Sequence, residues 1–137
     1  MGLHNLRRCA ALIAARVERA RCFRQKVESA TGFRVTAWPE GIVHVFKDFT
    51  VFLPEGAPEE TREPIMQALA QRGIETRAYF YPPVHEQAYF THFATRPLPR
   101  TERLSRRVIT LPFYSTLTAE EMDYMVNALK EVENEVL

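Results

Sequence analysis

The sequence predicts an α+β fold built on a small sheet, and three observations carry that expectation. Long stretches near both ends, Gly2 to Ala30 and Thr118 to Val136, repeat apolar residues at helical spacing. Between them, IVHVFKDFTVFL (Ile42 to Leu53) and VITLPF (Val108 to Phe113) are rich in β-branched and aromatic residues and read as strands. A third short strand, within GIETRAYFY, follows a glycine that ends a helix. The expected product is a three-stranded, mainly antiparallel sheet with helices packed on one face, preceded by a long N-terminal helix.

In that helix Leu3, Leu6, Ala10, Ile13, Val17 and Ala20 form a stripe that Phe23 and Val27 extend, and Gly32 is its stop. It starts at the first residue without a convincing N-cap, as though a longer chain had been cut near there. Phe33 to Gly41, punctuated by Trp38-Pro39 and Gly41, reads as loop or brief extension. In the Ile42 to Leu53 run, Lys47 and Asp48 mark either a bend or the start of the main strand. A helix is expected from about Thr61 to Arg72, with Thr61 as N-cap, Pro64 in the first turn, a buried face of Ile65, Met66 and Leu69, and Gly73 as C-cap. Short helical stretches should follow at Glu86 to Phe93 and from Thr101. Thr118-Ala-Glu-Glu121 is a capping box opening the last helix, whose stripe is Met122, Met125, Val126, Leu129, Val132 and Val136.

Composition narrows the function classes. At 137 residues the chain is one domain with 46% apolar and 26% charged residues. A net charge of +1 gives no general drive toward nucleic acid or an anionic membrane. No apolar run approaches the roughly 18 residues needed to span a bilayer. Cys9 and Cys22 on one helix lie roughly 20 Å apart, too far to bridge. A reduced, cytoplasmic protein is the expectation, with the cysteines buried on their helix.

The strongest candidate for a working surface is Gly73 to Tyr89. On a strand, Arg77, Tyr79 and Tyr81 would share one face, and Thr76, Ala78 and Phe80 would face the core. His85 follows a Pro82-Pro83 turn that restricts the backbone and preorganises the side chain after it. A structural, hydrogen-bonded histidine is the plain alternative. Arg77 among aromatics should be partly shielded and need an anionic partner, with Asp48 on the neighbouring strand as an internal one. The arginines at 96, 100, 103, 106 and 107 fit a solvated helix face paired with glutamates better than a phosphate site. His4, His44, His85 and His92 show no zinc-like spacing, and no glycine-rich phosphate loop is present.

GIETRAYFYPPVHEQ together with VITLPFYSTLTAEEMDYMVNALKEV resembles the C-terminal small domain of the DegT/DnrJ/StrS-type aminotransferases, which aminate keto sugars, mostly nucleotide-linked. FKDFTVFLPEG resembles that domain's first main strand, and the N-terminal helix resembles the connector from the large domain. The resemblance therefore implies residues 1–31 as an interdomain helix and 32–137 as the small domain of a fold-type I enzyme. It implies pyridoxal phosphate as the family cofactor, held by a large domain that also carries the Schiff-base lysine. Lys26, Lys47 and Lys130 are the lysines here, and none sits in a context resembling that one. By the same resemblance His85, Arg77, Tyr79, Tyr81 and Lys47 would bind or orient the substrate, with no catalytic residue in this chain.

The resemblance thus implies a fragment that contributes substrate-side residues and is inactive alone. Such a fragment needs a large domain or a partner chain in trans, within a family that forms homodimers. The competing reading is a non-catalytic binding module that kept the fold. A large exposed apolar patch would favour the fragment over the module.

Overall fold

The computed structural model describes residues 2–93 and 96–137, and gives side chains from residue 6 onward. Its helices are α1 (Gly2–Ala30), α2 (Arg62–Gln71), α3 (Pro99–Arg106) and α4 (Ala119–Val136). Its strands are β1 (Arg34–Val35), β2 (Phe49–Phe52) and β3 (Val108–Leu111). The sheet order is β1-β2-β3, antiparallel throughout, with Phe49 opposite Leu111 and Phe52 opposite Val108. This is the α+β class expected, but the third strand is Arg34–Val35 and not the stretch within GIETRAYFY, where Arg77 alone bridges to Thr110.

Strand alternation sorts the sheet's faces. Phe49 and Val51 of β2 with Ile109 and Leu111 of β3 form one face, and Phe23, Val27, Ile65, Leu69, Leu129 and Val132 from α1, α2 and α4 pack in the same core. Phe23 stacks on Phe49 at 4.5 Å, and Phe49 lies 5.3 Å from Phe113. The opposite face is not simply open. Val108 and Thr110 are buried there and Thr50 and Phe52 are half-buried, so the chain covers much of it itself.

Several local expectations hold. The Thr118 hydroxyl accepts the Glu121 N–H at 3.2 Å, and the Thr118 N–H reaches Glu121 Oε2 at 2.7 Å, completing the capping box. Gly73 takes φ of 73°, donates to the Ala70 carbonyl, and lets Ile74 N–H reach Leu69, so α2 ends in a Schellman turn. Gly32 lies under α4, where its N–H donates to both carboxylate oxygens of Glu133, at 2.9 and 3.0 Å.

Others need correction. Thr61 holds the N-cap position of α2 but makes no cap bond: it is in helical conformation inside a 3-10 turn (Glu59–Thr61), and its hydroxyl donates to the Pro58 carbonyl at 2.6 Å. α3 begins at Pro99 rather than Thr101, because proline at the first position needs no amide partner. The run Ile42 to Leu53 is strand only from Phe49. Phe46 turns left-handed at φ 47°, its N–H goes to His44 Nδ1 and its carbonyl to Arg16, so its backbone groups are taken by side chains. Ile42, Val43 and Val45 stay exposed. Cys9 and Cys22 are exposed rather than buried. The α1 stripe is buried only from Ala20 on: Val17 is half-buried, Leu6 is 70% exposed, and the side chains of Leu3 and His4 lie outside the described residues.

Candidate functional site

The segment after Gly73 is not a continuous strand. Arg77 exchanges both backbone hydrogen bonds with Thr110, at 3.0 and 2.7 Å, as a single bridge along β3. The chain then turns, with Tyr81 N–H donating to Ala78 at 2.8 Å, and Pro82 and Pro83 have no N–H to continue a ladder. Strand alternation therefore fails. Phe80 is 65% exposed instead of in the core, and Tyr79 stacks on it at 5.0 Å. Tyr81, Tyr89 and Phe93 are exposed as well, so the segment presents a row of uncovered aromatics along its sequence.

Tyr81 and His85 are anchored from behind, by residues that their place in the sequence does not single out. The Arg62 guanidinium lies 4.2 Å from the Tyr81 ring centre and donates from Nη1 to the Ser105 carbonyl at 2.8 Å. Arg62 is 7% exposed, its Nε has no hydrogen-bond partner, and Glu63 is 3.8 Å away. The one signal in the sequence is phase: Arg62 sits on the helical face that Ile65 and Leu69 bury.

His85 Nε2 lies 3.2 Å from Glu102 Oε1 on α3. Glu102 also accepts the Leu98 N–H at 2.7 Å. That amide first, then His85 and Arg106, holds the Glu102 carboxyl below the usual carboxylate range against partial desolvation. Arg106 bridges Glu86 at 3.8 Å and Glu59 at 3.9 Å. His85 lines a cleft of about 530 Å³ with Val84, Phe90, Phe93 and Arg96.

The remaining expected residues stand differently. The Arg77 side chain is 61% exposed and pairs with Glu75, not Asp48, so it is neither shielded nor tied to β2. Lys47 is 84% exposed, 3.9 Å from Asp48, in a separate cleft with Trp38, His44 and Phe46. Arg16 holds that loop from α1, donating to the carbonyls of Phe46, Lys47 and Phe113 at 2.7, 3.2 and 3.2 Å. Of the arginine run, Arg107 is half-buried and turns inward: it donates to the carbonyls of Ala57 and Pro54. His85, Glu86 and Glu102 present ligand atoms within 4.8 Å of one another, a juxtaposition the linear spacing hid.

Pyridoxal phosphate needs a lysine amine, an acidic partner for its ring nitrogen and a phosphate cradle. The lysines do not supply this. Lys26 is tied to Asp123, Lys47 is solvated, Lys130 is exposed on α4, and none lines the cleft at His85 or the one at Arg62. The described residues do not fit the cofactor as its holder.

The chain as a whole matches known proteins. The model of the DegT/DnrJ/EryC1/StrS aminotransferase family matches residues 1–130. A Streptococcus pneumoniae protein designated a sugar aminotransferase, solved in its PLP form, superposes with a TM-score of 0.82 at 26% identity over 99% of this chain and 35% of its own. Helicobacter pylori PseC, an aminotransferase involved in the biosynthesis of pseudoaminic acid, shares the fold at TM-score 0.84 and 18% identity, over 98% of this chain and 36% of its own. A DegT/DnrJ/EryC1/StrS aminotransferase from Brucella abortus does so at 0.80 and 22%, over 96% and 34%. The chain thus spans about a third of the length of these solved structures. It belongs to the DegT/DnrJ/EryC1/StrS aminotransferase family.

Proposed function

We propose that residues 32–137 form the C-terminal small domain of a pyridoxal-phosphate-dependent aminotransferase acting on keto sugars, with residues 1–31 as the helix leading in from a large cofactor-binding domain. In this reading the chain supplies one wall of the substrate cleft. His85, Arg77, Tyr79 and Tyr81 contact the substrate, Lys47 stands at a second edge, and the chain does not transaminate by itself. The cofactor and its lysine belong to the large domain, on another stretch of polypeptide or on a partner chain, within a homodimer.

The observation that carries this reading is the aromatic wall. Tyr79, Phe80, Tyr81, Tyr89 and Phe93 are 41, 65, 46, 74 and 65% exposed, while Arg62 holds Tyr81 and Glu102 holds His85 from behind. An anchored but uncovered aromatic surface is what half of a ligand cleft presents. Exposed apolar side chains elsewhere support it. Leu6 and Leu12 of α1 are 70 and 49% exposed, and Ile42, Val43 and Val45 are exposed too. Apolar side chains left uncovered in this way favour docking onto a further domain over a stand-alone module.

The test is direct. The purified chain is mixed with pyridoxal phosphate, freed of unbound cofactor and scanned in the visible region. No retained aldimine band is expected. A stoichiometric band abolished by changing Lys26, Lys47 or Lys130 would contradict the assignment.

A further inference from the structure

Among the described residues His85 makes one side-chain hydrogen bond, from Nε2 to Glu102 Oε1. That oxygen is itself placed, because it accepts the Leu98 amide at the N-cap of α3. Glu102 therefore folds back over the first turn of its own helix and meets the imidazole as a fixed acceptor. Both partners are shielded, His85 at 17% and Glu102 at 27% side-chain exposure. An ionised carboxylate only accepts, so the ring nitrogen facing it carries the proton. In a neutral imidazole the other nitrogen is then the acceptor. Nδ1 lies across the ring from Glu102, and no hydrogen bond among the described residues engages it. The other charged groups around the ring are Glu86 of its own turn, Arg106 of α3 and Arg96 at the cleft. Glu86 is drawn toward Arg106, leaving Glu102 as the ring's partner.

We propose that Glu102 is the positioning residue of His85, fixing the imidazole as the Nε2–H tautomer so that Nδ1 is the atom offered to a ligand. This rests on the reading that His85 contacts substrate. The group that fits a neutral Nδ1 is a hydrogen-bond donor, such as a sugar hydroxyl.

The experiment is two-bond proton–nitrogen correlation on the 137-residue chain carrying labelled histidine, at a pH where the ring is neutral. Wild type and Glu86→Gln are expected to show His85 as a single Nε2–H tautomer. Glu102→Met removes the acceptor and should give a mixture of tautomers, whereas Glu102→Gln keeps an acceptor oxygen and should restore the single form. A wild-type ring protonated at Nδ1, or a Glu102→Met spectrum identical to wild type, would overturn the proposal. Should Glu102→Met fail to fold, Glu102→Ala is read by the same correlation, and a single Nε2–H form persisting without the acceptor would overturn the proposal. These spectra need no substrate. If they turn out as expected while His85→Ala leaves sugar-nucleotide binding unchanged, the positioning role stands and the substrate reading falls.

Discussion

The Arg62 guanidinium lies 4.2 Å below the Tyr81 ring, buried, with its Nε unpaired. A buried cation with one hydrogen bond and a solvated glutamate at 3.8 Å adds little net stability. It does join α2, the end of α3 and the Tyr81 turn. Arg62→Met, close in volume, should leave the unfolding free energy within about 1 kcal/mol of wild type. Amide exchange across residues 78–86 should accelerate. A loss of about 3 kcal/mol or more, with unchanged exchange, would show the charge to be a structural ion pair instead.

Glu133 crosses from α4 to cap Gly32, and a Cβ at position 32 would collide with its Oε1 and come within 3.1 Å of Pro54. Gly32→Ala should destabilise by about 1–3 kcal/mol through overpacking. Glu133→Ala should cost about 1.5 kcal/mol through the lost charged acceptor. Because the two groups touch, the double variant should cost less than the sum in denaturant melts.

The capping box gives a third expectation. Thr118→Ala removes the acceptor for the Glu121 N–H and should cost about 1 kcal/mol. Thr61→Ala, at a position where no cap bond exists, should cost less. Thermal melts of the two variants side by side check the difference.

Acid should act through Glu121 and Glu102. The Thr118 N–H, then Tyr114, holds Glu121 below the usual range, and the Leu98 N–H, then His85, does so for Glu102. A carboxyl with a lowered folded pKa binds its proton more weakly when folded. Its contribution is therefore present above the ordinary value of 4.5 and is lost as pH falls through the folded pKa. Tyr114→Phe should raise the Glu121 midpoint yet leave it below the ordinary value, since the Thr118 amide is the larger cause. Carboxyl-detected titration checks this.

Two of the three strands, the long helices and their core stripes were legible because they rest on periodicity: Phe23 and Val27 recur at helical spacing, and Val108 to Leu111 is a β-rich run. The capping box and the Gly73 stop were legible because their chemistry is local. The features that escaped depend on contacts distant in sequence. Ile42 to Phe46 looks like strand, but Arg16, 30 residues before Phe46, takes its carbonyl, and among the described residues no strand pairs with it. Tyr79 to Tyr81 looks alternating, yet the turn before Pro82 breaks the register. His85 and Tyr81 could be named from their motif, but Glu102 and Arg62 could not, because they meet these residues only through the fold.

The central claim is that Arg77 to His85 forms a substrate wall. Backbone and side-chain chemical-shift mapping of the labelled chain against uridine-, thymidine- and guanosine-diphosphate sugars tests it most directly. The account predicts perturbations at Arg77, Tyr79, Tyr81 and His85 that Tyr81→Leu and His85→Ala weaken. Perturbations confined to other surfaces, with this segment unmoved, would contradict it.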